Sequence, residues 1–442
     1  MSERWARAML TTYRWAGAAA YPLIGTYVAY RASKGKEEHA RRRERYGRAG
    51  QPRPDGPLIW VHAASVGETM AVVPLIEQIL SHGINVVLTT GTVTSAQVAK
   101  ARLGDRIVHQ YVPLDLKPAV SRFLDHWVPD LAIMAESEIW PMTILELGSR
   151  RVPQVLVNGR LSDRSFASWT KRSFVAEALF ENLAHVIAQT EIDAERFRAL
   201  GARPVTVSGN LKVDTVPPPV DQAELDRLRG EIGPRRTWAA VSTHDGEEAA
   251  AAGVHKQLRT RHPDLLTIIV PRHPDRADAI AAACAEMGLS VARRSLGDKI
   301  STRTDIFLGD TIGEMGLYLR LTEIAFVGKS LTGEGGQNPL EPAMLGTAVL
   351  SGRNVQNFRE SYQKLAACGA ARFVRDKEVL AGAVNFLLNN DVERRKMMDA
   401  GLATIEDMRG ALVTTLQALE PFIHPLIVQA RLGVTPAGNG SQ

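Results

Sequence analysis

Residues 58–81 read LIWVHAASVGETMAVVPLIEQILS, and this stretch decides the fold class. Leu58–His62 is a short apolar run that suits a buried strand. A turn of small residues follows, and Gly67-Glu68 opens an amphipathic segment. Between Thr69 and Ser81, the residues Val72, Leu75, Ile76, Ile79 and Leu80 fall on one face at helical spacing. A strand that turns directly into such a helix begins a parallel α/β layer structure.

Working outward, the alternation continues. Further strands are expected at Asn85–Thr89, Asp130–Met134, Gln154–Val157, His185–Ala188 and Val205–Val207. Helices are expected at Ser95–Leu103, Lys117–His126 and Trp140–Gly148. Val216-Pro217-Pro218-Pro219 breaks the pattern, since it suits neither a helix nor a central strand, and reads as a semi-rigid linker. The pattern then restarts with strands at Thr237–Val241, Leu266–Val270, Ile306–Leu308, Ile324–Val327 and Ala348–Leu350. The helices expected here are Glu247–Thr260, Asp275–Gly288, Pro339–Leu345 and Ala381–Asn389. This predicts two Rossmann-like halves facing a cleft, with ligands at the carboxyl ends of their strands. The expected domains are residues 46–215 and 216–430, preceded by 1–45 and followed by a tail at 431–442. Val392 to Ala430 reads as helical; it is placed with the second domain, although a helix there can cross back onto the first.

The 442 residues are 45% hydrophobic and 23% charged, ordinary for a globular chain with a full core. The net charge of +5 is modest, but Arg31, Lys34, Lys36, Arg41, Arg42, Arg43 and Arg45 cluster directly after an apolar stretch. That stretch, Trp15 to Tyr30, is short for a spanning helix and carries Pro22 and Gly25. A signal anchor and an interfacial helix both fit it, and a cleaved signal peptide fits worse. The basic cluster favours an anionic lipid surface and places the rest of the chain on the cytoplasmic side. Cys284 and Cys368 make no paired spacing, so a disulfide framework is excluded and a reducing compartment favoured.

Four acidic, basic or glycine-rich turns carry the chemistry. Glu68 follows the first strand, as a helix-dipole glutamate or a general base. Glu136 and Glu138, in AESEIWP, stand two apart at a strand's carboxyl end and would point the same way if the strand continued. In VPRHPDR, Arg272 and His273 precede Pro274 at a helix start, a setting suited to phosphate. In TGEGGQNPLEPAMLG, Gly333, Gly335 and Gly336 allow close backbone approach. Asn338 caps a helix, with Pro339 at its first position and Glu341 at the capping-box position or on a ribose. Gly328-Lys329-Ser330 resembles a P-loop end, but Glu323 occupies the required glycine position. There is no Asp-x-Asp pair, which suggests chemistry without a metal.

Taken together, these motifs resemble the bacterial 3-deoxy-D-manno-octulosonic acid (Kdo) transferases of lipopolysaccharide synthesis. The matching runs are HAASVGE, LTTGTVTSAQVA, VPLDL, AESEIWP, VNGRLSDRS, GNLKVD, STHDGEE, PRHPDR, GDTIGEM and GGQNPLEPA, in the family's order. The resemblance implies a GT-B glycosyltransferase with an N-terminal acceptor domain, a C-terminal nucleotide domain and an N-terminal membrane anchor. It implies an inverting, metal-independent transfer from CMP-Kdo to a lipid A precursor (lipid IVA) at the inner membrane, with no cofactor and no nucleic acid. It assigns the base to Glu68 and transition-state roles to Glu138 and Lys212. CMP contacts fall on Arg272 and His273, on Ile312, Gly313 and Glu314, and on Asn338, Pro339, Leu340 and Glu341. Two departures adjoin the nucleotide loop: Lys329 stands where many members carry glycine, and Gln337 replaces a common histidine. A nucleotide-sugar epimerase shares the architecture but needs no anchor. A membrane-tethered binding module would need none of Glu68, Glu138 and Lys212.

Overall fold

The computed structural model describes residues 37–433. The expected anchor, Trp15 to Tyr30, lies outside them, as do Arg31, Lys34, Lys36 and the tail from residue 434. Two compact units are present. The first contains the chain up to Thr215 and resumes at Arg409; the second spans Val216–Met408.

Each unit is built on a seven-stranded, all-parallel sheet. The first comprises β1 (Leu58–Ala63), β2 (Asn85–Thr90), β3 (Val108–Tyr111), β4 (Leu131–Ala135), β5 (Gln154–Gly159), β6 (His185–Ala188) and β7 (Val205–Val207), in the order 3-2-1-4-5-6-7. Alternate residues of β1 feed opposite faces. Ile59, Val61 and Ala63 enter one core, whereas Leu58 and Trp60 enter the other. The second comprises β8 (Thr237–Thr243), β9 (Leu266–Pro271), β10 (Val291–Arg293), β11 (Ile306–Leu308), β12 (Ile324–Val327), β13 (Ala348–Ser351) and β14 (Ala371–Phe373), in the order 10-11-9-8-12-13-14. Connections run to one side from β1 and to the other from β4, and likewise from β8 and β12, although the chain passes from β9 to the edge strand β10 before returning to β11. The switch points of the two sheets therefore lie between β1 and β4 and between β8 and β12, where ligands of open α/β sheets bind.

Three strands escaped the sequence reading: β3, β10 and β14. All are sheet edges of three or four residues, and each carries polar or charged side chains such as His109, Arg293 and Arg372. The helices at Val66–Ser81 and Val93–Leu103 begin earlier than periodicity indicated. Ser65 and Thr92 cap them, accepting the N–H groups of Glu68 and Ser95.

The C-terminal boundary also differs. Gly410, at φ +108°, separates the helices Asp391–Asp407 and Ala411–Leu432. The last helix packs Ala411, Leu419, Ile423 and Leu426 into the first unit's core, so residues 411–430 do not belong to the second domain. The stretch Asp391–Leu432 is long and apolar enough to cross a membrane by length and composition. Asp214, the last residue of GNLKVD, fastens that helix by accepting the N–H groups of Gly410 at 2.9 Å and Leu412 at 2.5 Å. The proline run is docked rather than free: Arg320 donates to the Pro218 carbonyl at 2.7 Å, and Gly316 leaves room for it.

Part of the basic cluster turns inward. Arg45 is buried, bonded through two nitrogens to Glu37 and to the carbonyls of Val112 and Gly91. Arg41 pairs with Glu44 and donates to the His109 carbonyl. These two hold the sheet edge and are not offered to a lipid surface. Arg42 and Arg43 are exposed.

Candidate functional site

In the first unit the chemistry gathers where β1 and β4 diverge. Glu68 sits in the first turn after β1 as a capping residue: its Oε2 accepts the Ala64 N–H at 2.8 Å and its Oε1 the Ser65 hydroxyl at 2.7 Å. The dipole-complementing and base readings are therefore compatible, since each oxygen keeps a further lone pair. Burial raises the Glu68 pKa, the charges of Glu136 and Glu138 raise it further, and the Ser65 and Ala64 bonds lower it less. A carboxyl raised in this way is better matched to accepting a proton near neutral pH.

Glu136 directly follows β4, with φ +55°. The strand does not continue, so Glu136 and Glu138 are not alternate residues of one strand as their spacing suggested. They part company. Glu136 Oε1 pairs with Lys212 Nζ at 2.5 Å. Glu138 Oε2 accepts the Trp140 indole N–H at 2.7 Å and lies 3.4 Å from His62 Nε2. His62 is fully buried, its Nδ1 within 2.9 Å of the Thr89 hydroxyl, which also accepts from Trp60. Lys212 lies against the glycine of the Glu68 turn; a Cβ on Gly67 would meet its Cε at 3.8 Å. Glu68, Glu138 and Lys212 are thus brought to one place, together with Glu136 and His62.

Two motif residues build this site without facing it. Asp115 of VPLDL accepts the N–H groups of Met142 and Thr143 at 3.0 and 2.8 Å, fixing the helix that follows Glu138. Asn158 of VNGR, in the left-handed region at φ +52°, accepts the Leu211 N–H at 3.0 Å and so places Lys212.

In the second unit the turns after β8 and β12 meet on one buried carboxylate. Glu247 accepts four backbone N–H groups: His244 at 2.9 Å, Lys329 at 2.6 Å, and Ser330 and Leu331 at 2.9 Å each. Glu248 holds the Thr243 hydroxyl and Arg276, and Asp245 takes the same arginine. Of the two arginines in PRHPDR, Arg276 is consumed structurally, while Arg272 is exposed beside His273. The His273 and His244 rings meet edge to face at 5.6 Å.

The remaining expected contacts divide by exposure. Ile312 and Gly313 form an exposed tip, with Gly313 at φ +86°. The Glu314 carboxylate is occupied by both Arg294 nitrogens, the Thr311 hydroxyl and Tyr318. Burial pushes its pKa up, but these bonds, led by Arg294, outweigh that and hold it low. Asn338 accepts the Leu340 N–H at 3.1 Å, and its amide lies 3.5 Å from Glu341. Pro339 precedes the short helix Leu340–Met344; Leu340 is buried, so only its backbone can meet a ligand. Gly335 and Gly336 have positive φ and lie hard against Asn357 and against Asn354-Val355. Local packing therefore accounts for both.

A family profile described as 3-deoxy-D-manno-octulosonic-acid transferase (kdotransferase) matches residues 40–215. The 3-deoxy-D-manno-octulosonic acid transferase of Haemophilus influenzae is 34% identical over 412 residues, covering 91% of this chain and 96% of that protein. The chain belongs to this Kdo transferase family. The Bordetella pertussis transferase is 35% identical over 395 residues, covering 86% and 91%. Solved structures add a likeness of fold. A glycosyltransferase from Rickettsia africae aligns with a TM-score of 0.59 at 11% identity, over 84% of this chain and 99% of that one. A UDP-GlcNAc 2-epimerase from Neisseria meningitidis aligns with a TM-score of 0.57 at 14% identity, over 83% and 100%. The transferase thus shares its two α/β units with epimerases as well as glycosyltransferases, and its sequence relatives identify it as a glycosyltransferase. Sequence reading did not assign site roles to His62, Asp115, Glu136, Asn158, Asp214 or Glu247. All six lie inside the quoted motifs, and Glu136 stands in the same AESEIWP run as Glu138.

Proposed function

We propose that the transferase moves Kdo from CMP-Kdo to a glucosamine hydroxyl of lipid IVA, with inversion at the anomeric carbon and without a metal. The work takes place at the cytoplasmic face of the inner membrane. The observation that carries this reading is Glu68: a carboxyl with a raised pKa at a sheet switch point, flanked by Glu136, Glu138 and Lys212. Glu68 accepts the hydroxyl proton as the oxygen attacks, and direct attack inverts the centre. Glu138 orients the acceptor or offsets positive charge developing on the sugar. Lys212 and Arg272 stabilise the departing negative charge. In the second unit, Arg272, His273, the Ile312–Glu314 tip and the Asn338–Glu341 turn hold CMP. The exposed guanidinium of Arg272, unlike that of Arg276, supports this assignment.

The test is a transfer assay with CMP-Kdo and lipid IVA in excess chelator, read by mass spectrometry of the lipid. A gain of one or more Kdo units with release of CMP is expected. Transfer that requires an added divalent ion would overturn metal independence. CMP-Kdo binding without any transfer would overturn the acceptor.

A further inference from the structure

We infer that Lys329 is a phosphate contact of the second unit, supplying from the turn after β12 a positive charge for the nucleotide. This rests on the reading that this unit holds CMP. β8 and β12 are neighbours in register, with Val241 opposite Val327, and the sheet's connections diverge between them. Each strand ends in a turn at the switch point, one carrying His244 and the other Lys329. Both turns are fastened to the same Glu247 oxygen through the backbone N–H groups of those two residues. Glu247 is spent on four such bonds, and among the described residues no carboxylate pairs with the Lys329 ammonium.

The backbone of Lys329 is in the left-handed region, at φ +55°. Glycine adopts that conformation more cheaply than lysine. A side chain kept against this preference is a pointer to function. Gln337 lies directly across from it. The Gly336 N–H donates to the Lys329 carbonyl at 2.9 Å, and the Gln337 N–H to the Gly328 carbonyl at 3.1 Å. The Lys329 cation and the neutral Gln337 amide thus stand on two hydrogen-bonded segments. The His244 imidazole is also disfavoured from protonation, first by burial and then in part by the Lys329 charge. Lys329 then provides the charge that the neighbouring ring does not.

The experiment measures equilibrium binding of CMP and of cytidine, which lacks the phosphate, to the full chain and to K329G, K329M and K329R. CMP should bind about tenfold more weakly to K329G and K329M, as expected for one lost charge-assisted bond at a partly exposed site. Cytidine binding should change less than twofold, and K329R should retain most of the CMP affinity. K329G should melt at or above the temperature of the unaltered protein, so weaker binding cannot be assigned to unfolding. CMP affinity within twofold of normal in K329G would overturn the inference and leave the donor reading intact. Failure of the unaltered chain to bind CMP would overturn both.

Discussion

Lys212 Nζ lies 2.5 Å from Glu136 Oε1, both side chains being mostly buried. This pairing, rather than one with Glu138, organises the candidate acceptor-side site. It leaves Glu138 to His62 and Trp140, and it sets Lys212 against the turn that carries Glu68.

A buried pair broken from one side leaves an uncompensated charge. K212M and E136Q should each destabilise the first unit by about 3 kcal/mol in urea unfolding. The double variant should recover most of that stability while remaining inactive, because the charge proposed to assist departure of CMP is gone. Activity in the double variant would show that the pair is only structural.

Glu68 predicts opposite signs for activity and stability. Its folded pKa lies above its ordinary value, so its contribution to stability is present at low pH and is lost as pH rises through the folded value. At neutral pH the ionised group is a net cost. E68Q should lose about 10²–10⁴-fold in turnover yet unfold no more easily than the unaltered protein at pH 7. Removing a neighbouring charge with E136Q should move the acid limb of any residual activity to lower pH.

His109 makes the first unit sensitive to acid. Burial, and then the charges of Arg41 and Arg45, lower its pKa to about 4 from 6.5. The unfolded chain therefore takes up a proton there before the folded one does, and stability falls as pH drops from 6.5 towards 4. The loss should approach ~3 kcal/mol. H109Q should flatten this part of the pH dependence, measured by chemical unfolding at pH 7, 6 and 5.

Asp214 caps the last helix from a distant part of the chain. D214A should cost about 1–2 kcal/mol and speed amide exchange through Ala411–Leu432. Exchange in the strands of the second sheet should stay unchanged. Uniformly faster exchange would mean that the contact stabilises more than this helix.

The sequence by itself determined the two α/β repeats and the break at Val216–Pro219, because apolar strands and one-sided helices are written in side-chain periodicity. It also named Glu68, Glu138 and Lys212, through motifs whose order the family keeps. The edge strands β3, β10 and β14 were illegible, because a strand with one neighbour needs little apolar sequence. Only the tertiary structure decided that the last helix returns to the first unit, and that Lys212 meets Glu136. It also showed that Asp115, Asp214 and Glu247 are fasteners. Their partners are backbone N–H groups contributed by other segments, and a backbone donor is the same in almost every residue. A sequence therefore shows that a carboxylate is present, but not which distant turn it will hold.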